Sequence, residues 1–306
     1  MAGHDQLWKQ VLQAFFPDFV RLFDATTAAG LDLSSVEFRD SEAFTDIPHG
    51  ERRIADLVAQ VRTVAGDPEL VLVHVEIQRV RQADFSQRMW QYYALLRQRE
   101  GLPVIPIALV LYPAREGVGV EEYVEAVLGR TYLTFRFVQV SLPVLPAQEY
   151  VTAETPLGAG LASVMRPPTE DRAARVALHL ACLRRIRAAQ EAGVLDEART
   201  FLLVNMIATY LPLSEEERTA LRQTLAEQGD PTMEATELTW ADQVRLQGRQ
   251  EGRQEGLREG VRELVRSRFG SVPPSLEAAL LALAGEEELK AFLHRAATVR
   301  ELDELL

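Results

Sequence analysis

Three polar residues alternate with apolar ones in the segment from Val71 to Gln78. Because the side chains of a β-strand point alternately to its two faces, His74, Glu76 and Gln78 fall on one face of the predicted strand. The valines and the isoleucine between them fall on the other face. A carboxylate in so apolar a strand needs a physical reason, which makes Glu76 the first candidate for a functional residue.

A second acid, Asp56, lies in the preceding apolar run, residues 53–62, and the sequence Gly66-Asp67-Pro68 between the two runs is typical of a turn. If antiparallel strands meet at a turn centred on Gly66, Asp56 lies ten residues before that centre and Glu76 ten residues after it. The two carboxylates then face each other, and facing side chains in a hairpin have Cβ atoms about 4.5–5.5 Å apart. Two negative charges at this distance repel, which indicates a divalent cation between them.

Carboxylates that converge on Mg²⁺ or Mn²⁺ are what a metal-dependent nuclease needs, because the ion polarises the scissile phosphate and generates hydroxide near neutral pH. Asp56 and Glu76 are therefore predicted to be catalytic metal ligands, with Gln78 as a third catalytic group that helps to hold the attacking water. Gln78 carries no positive charge, so the metal would bear more of the transition-state stabilisation. Spacing alone leaves alternatives open: the acids could line a solvated strand face, and His74 could be a structural residue rather than a ligand.

Other catalytic site types have no matching pattern in the sequence. The chain lacks a phosphate-binding loop ending in Gly-Lys-Ser/Thr, a Gly-x-Ser-x-Gly nucleophile segment and a pair of histidines at zincin spacing. A glycosidase with paired carboxylates would need a larger aromatic-lined cleft than this segment indicates.

The composition is that of an ordinary globular protein. The chain has 306 residues, 47% of them hydrophobic and 25% charged, enough to bury a sizeable core in two or three units. Five histidines and a single cysteine, Cys182, exclude a disulfide framework and a cysteine-rich zinc site. The sequence shows no apolar signal segment and no stretch of about 18 apolar residues, so we expect a cytoplasmic protein with no membrane partner.

The net charge of −12 argues against non-specific binding of nucleic acid by the molecule as a whole. Five arginines and no acid lie within residues 172–190, which is the best local candidate for a phosphate-facing surface. Val176, Leu180 and Leu183 at helical spacing give a simpler interpretation, the solvated face of an amphipathic helix.

The order of the predicted elements is that of a compact α/β domain ending near residue 150. In chain order they are a helix at 5–24, strands at 36–38, 53–62 and 70–78, a helix at 84–99, and strands at 104–112 and 134–140. Pro17 is expected to interrupt the first helix, and Asp84 to cap the second. Pro106 predicts that the first residues of the fourth strand lie outside the ladder.

From about residue 156 onwards, helix patterns replace strand patterns. The segments 214–217 and 298–301 are capping-box sequences that predict helix starts, and Thr239 could cap another helix. Glycines at 248, 252, 256 and 260 recur every four residues in a charged helical segment. Such a row lets a second helix approach closely, which predicts a homo-oligomer through the glycine-faced helix 248–260, although a flexible helical linker also explains it.

We therefore predict an α/β fold, a mixed sheet flanked by helices, followed by an all-helical C-terminal half. The predicted divisions are 1–155 for the sheet domain, 156–238 for a helical region, 239–266 for the glycine-periodic helix and 267–306 for a small helical domain.

Four short motifs occur in the order in which a known family has them. They are His4-Asp5-x-x-x-Lys9, Arg53-x-x-Asp56-Leu-Val, Val-His-Val-Glu76-Ile-Gln78 and Gln87-Arg88-Met89-x-x-Tyr92. On these residues the chain resembles the Rpn family of recombination-promoting, transposase-like nucleases within the PD-(D/E)xK nuclease superfamily. The resemblance covers roughly residues 4–145, and the glycine-periodic helix with Arg268-Phe-Gly270 resembles the tail often appended to these proteins.

The resemblance implies a restriction-endonuclease-like core and an endonuclease that uses Mg²⁺ or Mn²⁺ to cut DNA in recombination or in the movement of mobile elements. It implies that Asp56 and Glu76 are the metal ligands and that Gln78 occupies the position of the motif's lysine. Lys9, His74 and Arg88 are the residues expected to line the site or to contact DNA.

The alternative function is a non-catalytic interaction or scaffold protein that keeps a degenerate nuclease fold and oligomerises through the glycine-faced helix. Net acidity and Gln78 favour this alternative, whereas the retention of both carboxylates favours the nuclease.

Overall fold

The computed structural model describes residues 2–39, 57–66, 69–169, 171–228, 231–283, 285–299, 301, 302 and 305. The chain forms two compact units, Met1–Ala235 and Thr236–Leu306. The first unit contains a six-stranded mixed sheet with flanking helices, which confirms the predicted α/β class at that level. The finer division into four segments stays a prediction.

The elements of the first unit follow the chain as helices, then sheet, then helices. It begins with α1 (Ala2–Ala14), α2 (Phe16–Phe23) and α3 (Ala25–Gly30). The strands are β1 (Leu31–Arg39), β2 (Leu57–Thr63), β3 (Leu70–Gln78), β4 (Val104–Val110), β5 (Val118–Val127) and β6 (Arg130–Ser141), with α4 (Phe85–Glu100) between β3 and β4. A 3₁₀ turn (Leu142–Val144) precedes α5 (Ala147–Val151), α6 (Leu157–Ala162), α7 (Arg172–Glu191), α8 (Glu197–Tyr210) and α9 (Glu215–Glu227).

The strand order of the sheet is β1-β2-β3-β4-β6-β5. The first three strands form an antiparallel meander, in which β2 and β3 pair as predicted. Strands β3 and β4 are parallel, because α4 carries the chain back across one face of the sheet before β4 begins. Strands β4 and β6 are also parallel, and β5 lies between them in the chain. Strand β5 returns antiparallel to β6 and was not predicted. Its side chains are exposed or half-buried at every position. Because no face of β5 is buried, its sequence does not need the alternation of apolar and polar residues that predicts a strand.

The prediction that the first residues of the fourth strand lie outside the ladder was wrong for the pairing with β3, where Pro106 pairs with His74, and holds only for the pairing with β6. The backbone groups of Pro103 and Leu111 point to β3, so by alternation those of Pro106 point towards β6. Pairing of β4 with β6 begins only at Ile107, so a missing N–H at the preceding residue costs the ladder little.

Helix boundaries agree with most of the predicted capping chemistry in the first unit. The first helix is broken at Phe15, and Pro17 lies in the first turn of α2, where a missing N–H is tolerated. Ser214 begins α9 with both hydrogen bonds of a capping box. Asp84 stands at the N-cap position of α4, but its side chain makes no capping hydrogen bond.

Two predicted helix starts were wrong. Thr298 is the last residue of a helix, α12 (Glu286–Thr298), and its hydroxyl donates to the carbonyl oxygen of His294 one turn earlier. Thr239 lies within α10 (Pro231–Phe269). A threonine hydroxyl bonds to the preceding turn as readily as it caps a new helix, so the capping motif alone did not locate a boundary.

The five arginines of residues 172–190 lie on α7, and each has a partner within the chain. The pairs are Arg172 with Glu216, Arg175 with Glu217, Arg184 with Gln228, Arg185 with the carbonyl group of Glu154, and Arg187 with Glu191. Most of these contacts tie α7 to α9 and to the segment after α5. They favour the interpretation of the cluster as a structural helix face.

The second unit contains most of α10, with α11 (Pro274–Ala282) and α12. Its core consists of Val261, Val265, Leu276, Leu280, Leu289, Phe292, Ala296 and Leu305. Arg258 donates to the carbonyl oxygens of Leu280 and Leu283 at the end of α11, and Arg268 binds the last carbonyl groups of α12 in the same way. These cations satisfy acceptors that a helix end leaves unpaired.

The glycine row lies within α10. Gly248, Gly252 and Gly256 are exposed, and a Cβ atom at these positions would meet no neighbouring heavy atom within 4 Å. Among the described residues, these three glycines therefore make no close helix packing within the chain.

Gly252→Ala is expected to stabilise the second unit by about 1 kcal/mol, because an exposed helical glycine is less favourable than alanine by that amount. The thermal unfolding midpoint measures the change, with Gln250→Ala on the same exposed helix as the control. If the row instead packs against another copy, the alanine weakens self-association, which sedimentation velocity detects.

His179 is buried on α7, with its Nδ1 3.1 Å from the carbonyl oxygen of Leu211 at the end of α8. Burial lowers the pKa of His179 to about 4, and the hydrogen bond to Leu211 opposes this shift in part. The folded first unit therefore holds a neutral histidine at pH 7.

Lowering the pH from 7 to 4 is expected to reduce the free energy of unfolding through His179. The unfolded chain takes up a proton at this residue near pH 6.5, whereas the folded chain resists until about pH 4, so stability falls between these values. The loss is up to about 3 kcal/mol. Denaturant unfolding of wild type and His179→Asn at both pH values measures it, and a difference between the two proteins that does not change with pH would contradict the assignment.

Candidate functional site

The polar face of β3 is buried beneath α4. His74, Glu76 and Gln78 are exposed by only 0%, 5% and 7%. The ring of Tyr92, on α4, meets the His74 imidazole edge-on, with the ring centroids 5.5 Å apart. The three side chains thus share one face, as alternation predicts, and the alternative that Glu76 lies on a solvated face was wrong.

The observed register of β2 and β3 agrees with a turn centred on Gly66. Leu57, which follows Asp56 in the sequence, pairs with Val75, which precedes Glu76. Asp56 itself lies outside the described residues, so the carboxylate pair stays a prediction.

His74 and Glu76 form a buried pair without a hydrogen bond. Nε2 of His74 lies 3.4 Å from Oε2 of Glu76. Within the part of the chain that the structure describes, both ring nitrogens of His74 and this carboxylate oxygen make no hydrogen bond. Buried polar atoms of proteins are nearly always paired, and an unpaired one costs about 1–3 kcal/mol. A bound ion or ligand would remove this cost.

Gln78 lies at the carboxyl end of β3, and both the nitrogen and the oxygen of its side-chain amide make hydrogen bonds. Its Nε2 donates to the carbonyl oxygen of Val80 at 2.6 Å, and its Oε1 accepts a hydrogen bond from the guanidinium group of Arg88. Arg88 lies in the first turns of α4 and also donates to the side chain of Gln82. A positive charge therefore lies against the amide, although Gln78 carries none.

Gln139 of β6 is a buried polar residue that the sequence analysis did not single out. Ala108 of β4 pairs with Glu76 on one side and with Gln139 on the other, so the two polar residues lie in one row across the sheet. Nε2 of Gln139 donates to Oε1 of Glu121 on β5 at 3.4 Å. The alternation of residues in β6 predicts that Gln139 is buried, since Gln139 follows two phenylalanines on the same face of the strand.

Tyr112 follows β4 at the same edge of the sheet. Burial raises the pKa of Tyr112; the positive charges of Arg81 and Arg88 act against this shift, and Glu121 adds to it. The phenol therefore stays protonated at neutral pH and can donate a hydrogen bond to an anion.

Lys9 is half-buried on α1, beside Trp8, whose indole donates to the hydroxyl of Tyr210 at 2.7 Å. Helix α1 also contacts β2, the neighbour of β3 in the sheet. The expectation that Lys9 lines the site or contacts DNA stays a prediction.

A metal centre at this face would include His74 or Glu76. Among the described residues, no group of three or more His, Cys, Asp or Glu side chains is placed to hold a metal ion. The predicted pair of ligands includes Asp56, which lies outside that set.

A scan against protein-family models gave no match, and searches of curated proteins and of solved structures found none either. None of the described helices is long and apolar enough to cross a bilayer. Function is therefore inferred from the site.

His74→Phe is expected to stabilise the metal-free protein. The phenyl ring keeps an aromatic contact with Tyr92 and removes two buried nitrogens that make no hydrogen bond among the described residues. The expected gain in the free energy of unfolding is about 1–3 kcal/mol, measured by denaturant titration with a chelator present. His294→Gln, at an exposed position of α12, is the control. A loss of stability in His74→Phe would show that the ring nitrogens are satisfied in the folded protein.

Proposed function

We propose that this chain is a divalent-metal-dependent DNA endonuclease of the PD-(D/E)xK type, with Asp56 and Glu76 as metal ligands and Gln78 as a catalytic residue. The observation that carries the proposal is the buried carboxylate of Glu76, which has an oxygen without a hydrogen-bond partner among the described residues, one step along the strand from the Gln78–Arg88 pair. A role in recombination or in the movement of mobile elements is proposed from the resemblance in the four motifs.

The fold supports this proposal. A mixed sheet flanked by helices is what the resemblance implies for the nuclease core. The proposal also requires the β2–β3 register to continue by one residue, so that Asp56 faces Glu76. The pair Leu57–Val75 brings the described ladder to the residue before that point.

The two proposed carboxylate ligands, Asp56 and Glu76, fit a hard divalent cation, since carboxylate oxygens are the ligands that Mg²⁺ and Mn²⁺ prefer. Bound Mg²⁺ or Mn²⁺ would supply a polarised phosphate and a hydroxide nucleophile near neutral pH. The unpaired Oε2 of Glu76 is an acceptor that such an ion would satisfy.

Gln78 and Arg88 together can perform the task of a lysine. The amide of Gln78 has two N–H groups and two acceptor lone pairs, so its bonds to Val80 and Arg88 leave one donor and one acceptor for a water molecule. The guanidinium group of Arg88 supplies the positive charge that Gln78 lacks, next to the place where negative charge develops on the phosphate.

The segment that follows β3 is locally basic, which favours contacts with DNA even though the net charge of the chain is −12. Three arginines and one acid occur between residues 79 and 88, immediately after β3. Cations at one edge of the sheet are sufficient for phosphate contacts near the site.

Asp56→Asn and Glu76→Gln are each expected to lower metal-dependent nicking of plasmid DNA by about 100-fold or more, the scale on which loss of one preorganised contact slows catalysis. Nicking is measured with Mg²⁺ or Mn²⁺ by conversion of supercoiled to open-circular DNA. Glu69→Gln, which changes an exposed acid immediately before β3, should cut like the wild type. Nicking that survives both site substitutions would refute the site assignment.

Arg88→Gln is expected to lower nicking by about 10- to 100-fold, the usual effect of removing a group that supports a metal site. Gln78→Lys alone should not raise activity, because its ammonium group would lie against the guanidinium of Arg88. The double variant Gln78→Lys/Arg88→Gln should recover part of the loss, since it restores one positive charge at the site. Wild-type rates in Arg88→Gln would show that its charge plays no part.

The alternative function, a non-catalytic scaffold that oligomerises through the glycine-faced helix, is favoured by one observation: three glycines of that row are exposed and meet no neighbouring atom within 4 Å. Failure of the wild-type protein to nick DNA with any divalent metal, together with self-association that Gly252→Ala weakens, would support the scaffold over the nuclease.

A further inference from the structure

We infer that His74 is a metal ligand and that it gives this site a preference for a nitrogen-binding transition metal of the Zn²⁺ and Co²⁺ class over Mg²⁺. The inference rests on the proposed function only for the role of Glu76 as a ligand. It concerns which ion binds, and it does not require cleavage of DNA.

The first argument for a transition metal is the separation of the two ligand atoms. Nε2 of His74 and Oε2 of Glu76 are 3.4 Å apart. Imidazole nitrogen and carboxylate oxygen bind Zn²⁺ at about 2.0–2.2 Å, so two such atoms at this separation can share one ion at about the tetrahedral angle. Neighbouring ligands of an octahedral Mg²⁺ at 2.0–2.1 Å lie closer, about 2.9 Å apart. A charge-assisted hydrogen bond between the two groups would also be shorter, about 2.7–2.9 Å.

The second argument is that the two ligand atoms are buried without a hydrogen-bond partner. His74 is fully buried and Glu76 is 5% exposed, yet among the described residues neither Nε2 nor Oε2 makes a hydrogen bond. His179, another buried histidine, differs in this respect, because its ring bonds to the carbonyl oxygen of Leu211. Nε2 of His74 and Oε2 of Glu76 thus have no competing hydrogen-bond partner within the described structure. The edge-on contact with Tyr92 orients the imidazole.

The third argument is the chemical nature of the atoms that would bind the metal. Imidazole suits Zn²⁺, Co²⁺ and related ions, whereas Mg²⁺ prefers oxygen ligands and retains several waters. One nitrogen and one carboxylate, with Asp56 as the proposed further ligand, form a mixed nitrogen and oxygen set of the kind that catalytic zinc sites have.

Co²⁺ is the probe that tests the inference, because four-coordinate Co²⁺ absorbs visible light much more strongly than six-coordinate Co²⁺. Titration of the full-length wild-type protein should give an intense absorption that saturates at one Co²⁺ per chain. Equimolar Zn²⁺ should abolish this absorption, and equimolar Mg²⁺ should not. In His74→Phe, Co²⁺ should bind at least tenfold more weakly without the intense absorption, whereas His294→Gln should behave like the wild type.

Three results would overturn the inference: no Co²⁺ binding to the wild type, a weak six-coordinate spectrum in the wild type, or the same affinity and spectrum in His74→Phe. Pulsed electron paramagnetic resonance of Mn²⁺ bound to the wild type adds a readout that needs no variant, since an imidazole ligand gives a nitrogen coupling. The absence of this coupling would count against His74 as a ligand.

Plasmid nicking in Mg²⁺, run in parallel, separates the metal preference from the nuclease hypothesis. If the protein nicks DNA but Co²⁺ binding does not depend on His74, only the metal preference is refuted. If Co²⁺ binding depends on His74 but the protein does not nick DNA, only the nuclease hypothesis is refuted.

Discussion

The packing of α4 across β3, β4 and β6 is the constraint on which the sheet and the site both depend. Phe85, Met89, Tyr92 and Leu96 form the buried stripe of the helix, and two apolar clusters of the sheet lie against it. This crossover makes β3 and β4 parallel neighbours. It also places every second residue of β3 beneath the helix. The polar residues of β3 cannot avoid burial, because their apolar neighbours need the opposite face.

Burial changes what these polar residues do. A carboxylate in water has partners in the solvent, whereas one beneath a helix needs a fixed donor or a cation. Gln78 finds its partners in the carbonyl group of Val80 and in Arg88, which the first turns of α4 bring to the end of β3. Among the described residues, Nε2 of His74 and Oε2 of Glu76 make no hydrogen bond and lie 3.4 Å apart, too far for a strong hydrogen bond between them. The same helix therefore closes the core and leaves this buried pair without a hydrogen bond among the described residues.

Much of the fold was predictable where one face of an element is buried and the other is not. The alternation in β3 and the turn at Gly66 together gave the register in which Leu57 meets Val75. Prediction failed where that physical signal is absent or ambiguous. Strand β5 has no buried position, and the place of Pro106 in β4 is allowed only because pairing with β6 starts one residue later. The capping sequence at Thr298 closes a helix instead of opening one.

By itself, the sequence determined which side chains share a face of β3, because alternation along a strand is a local property of the backbone. It also determined that Glu76 has an unusually apolar setting and that Gln78 brings no charge of its own. Only the tertiary structure decided that α4 covers this face, that Arg88 lies against Gln78 and that Gln139 joins the row of Glu76 from β6. These contacts join different elements and depend on how helices and strands pack, which no local pattern encodes.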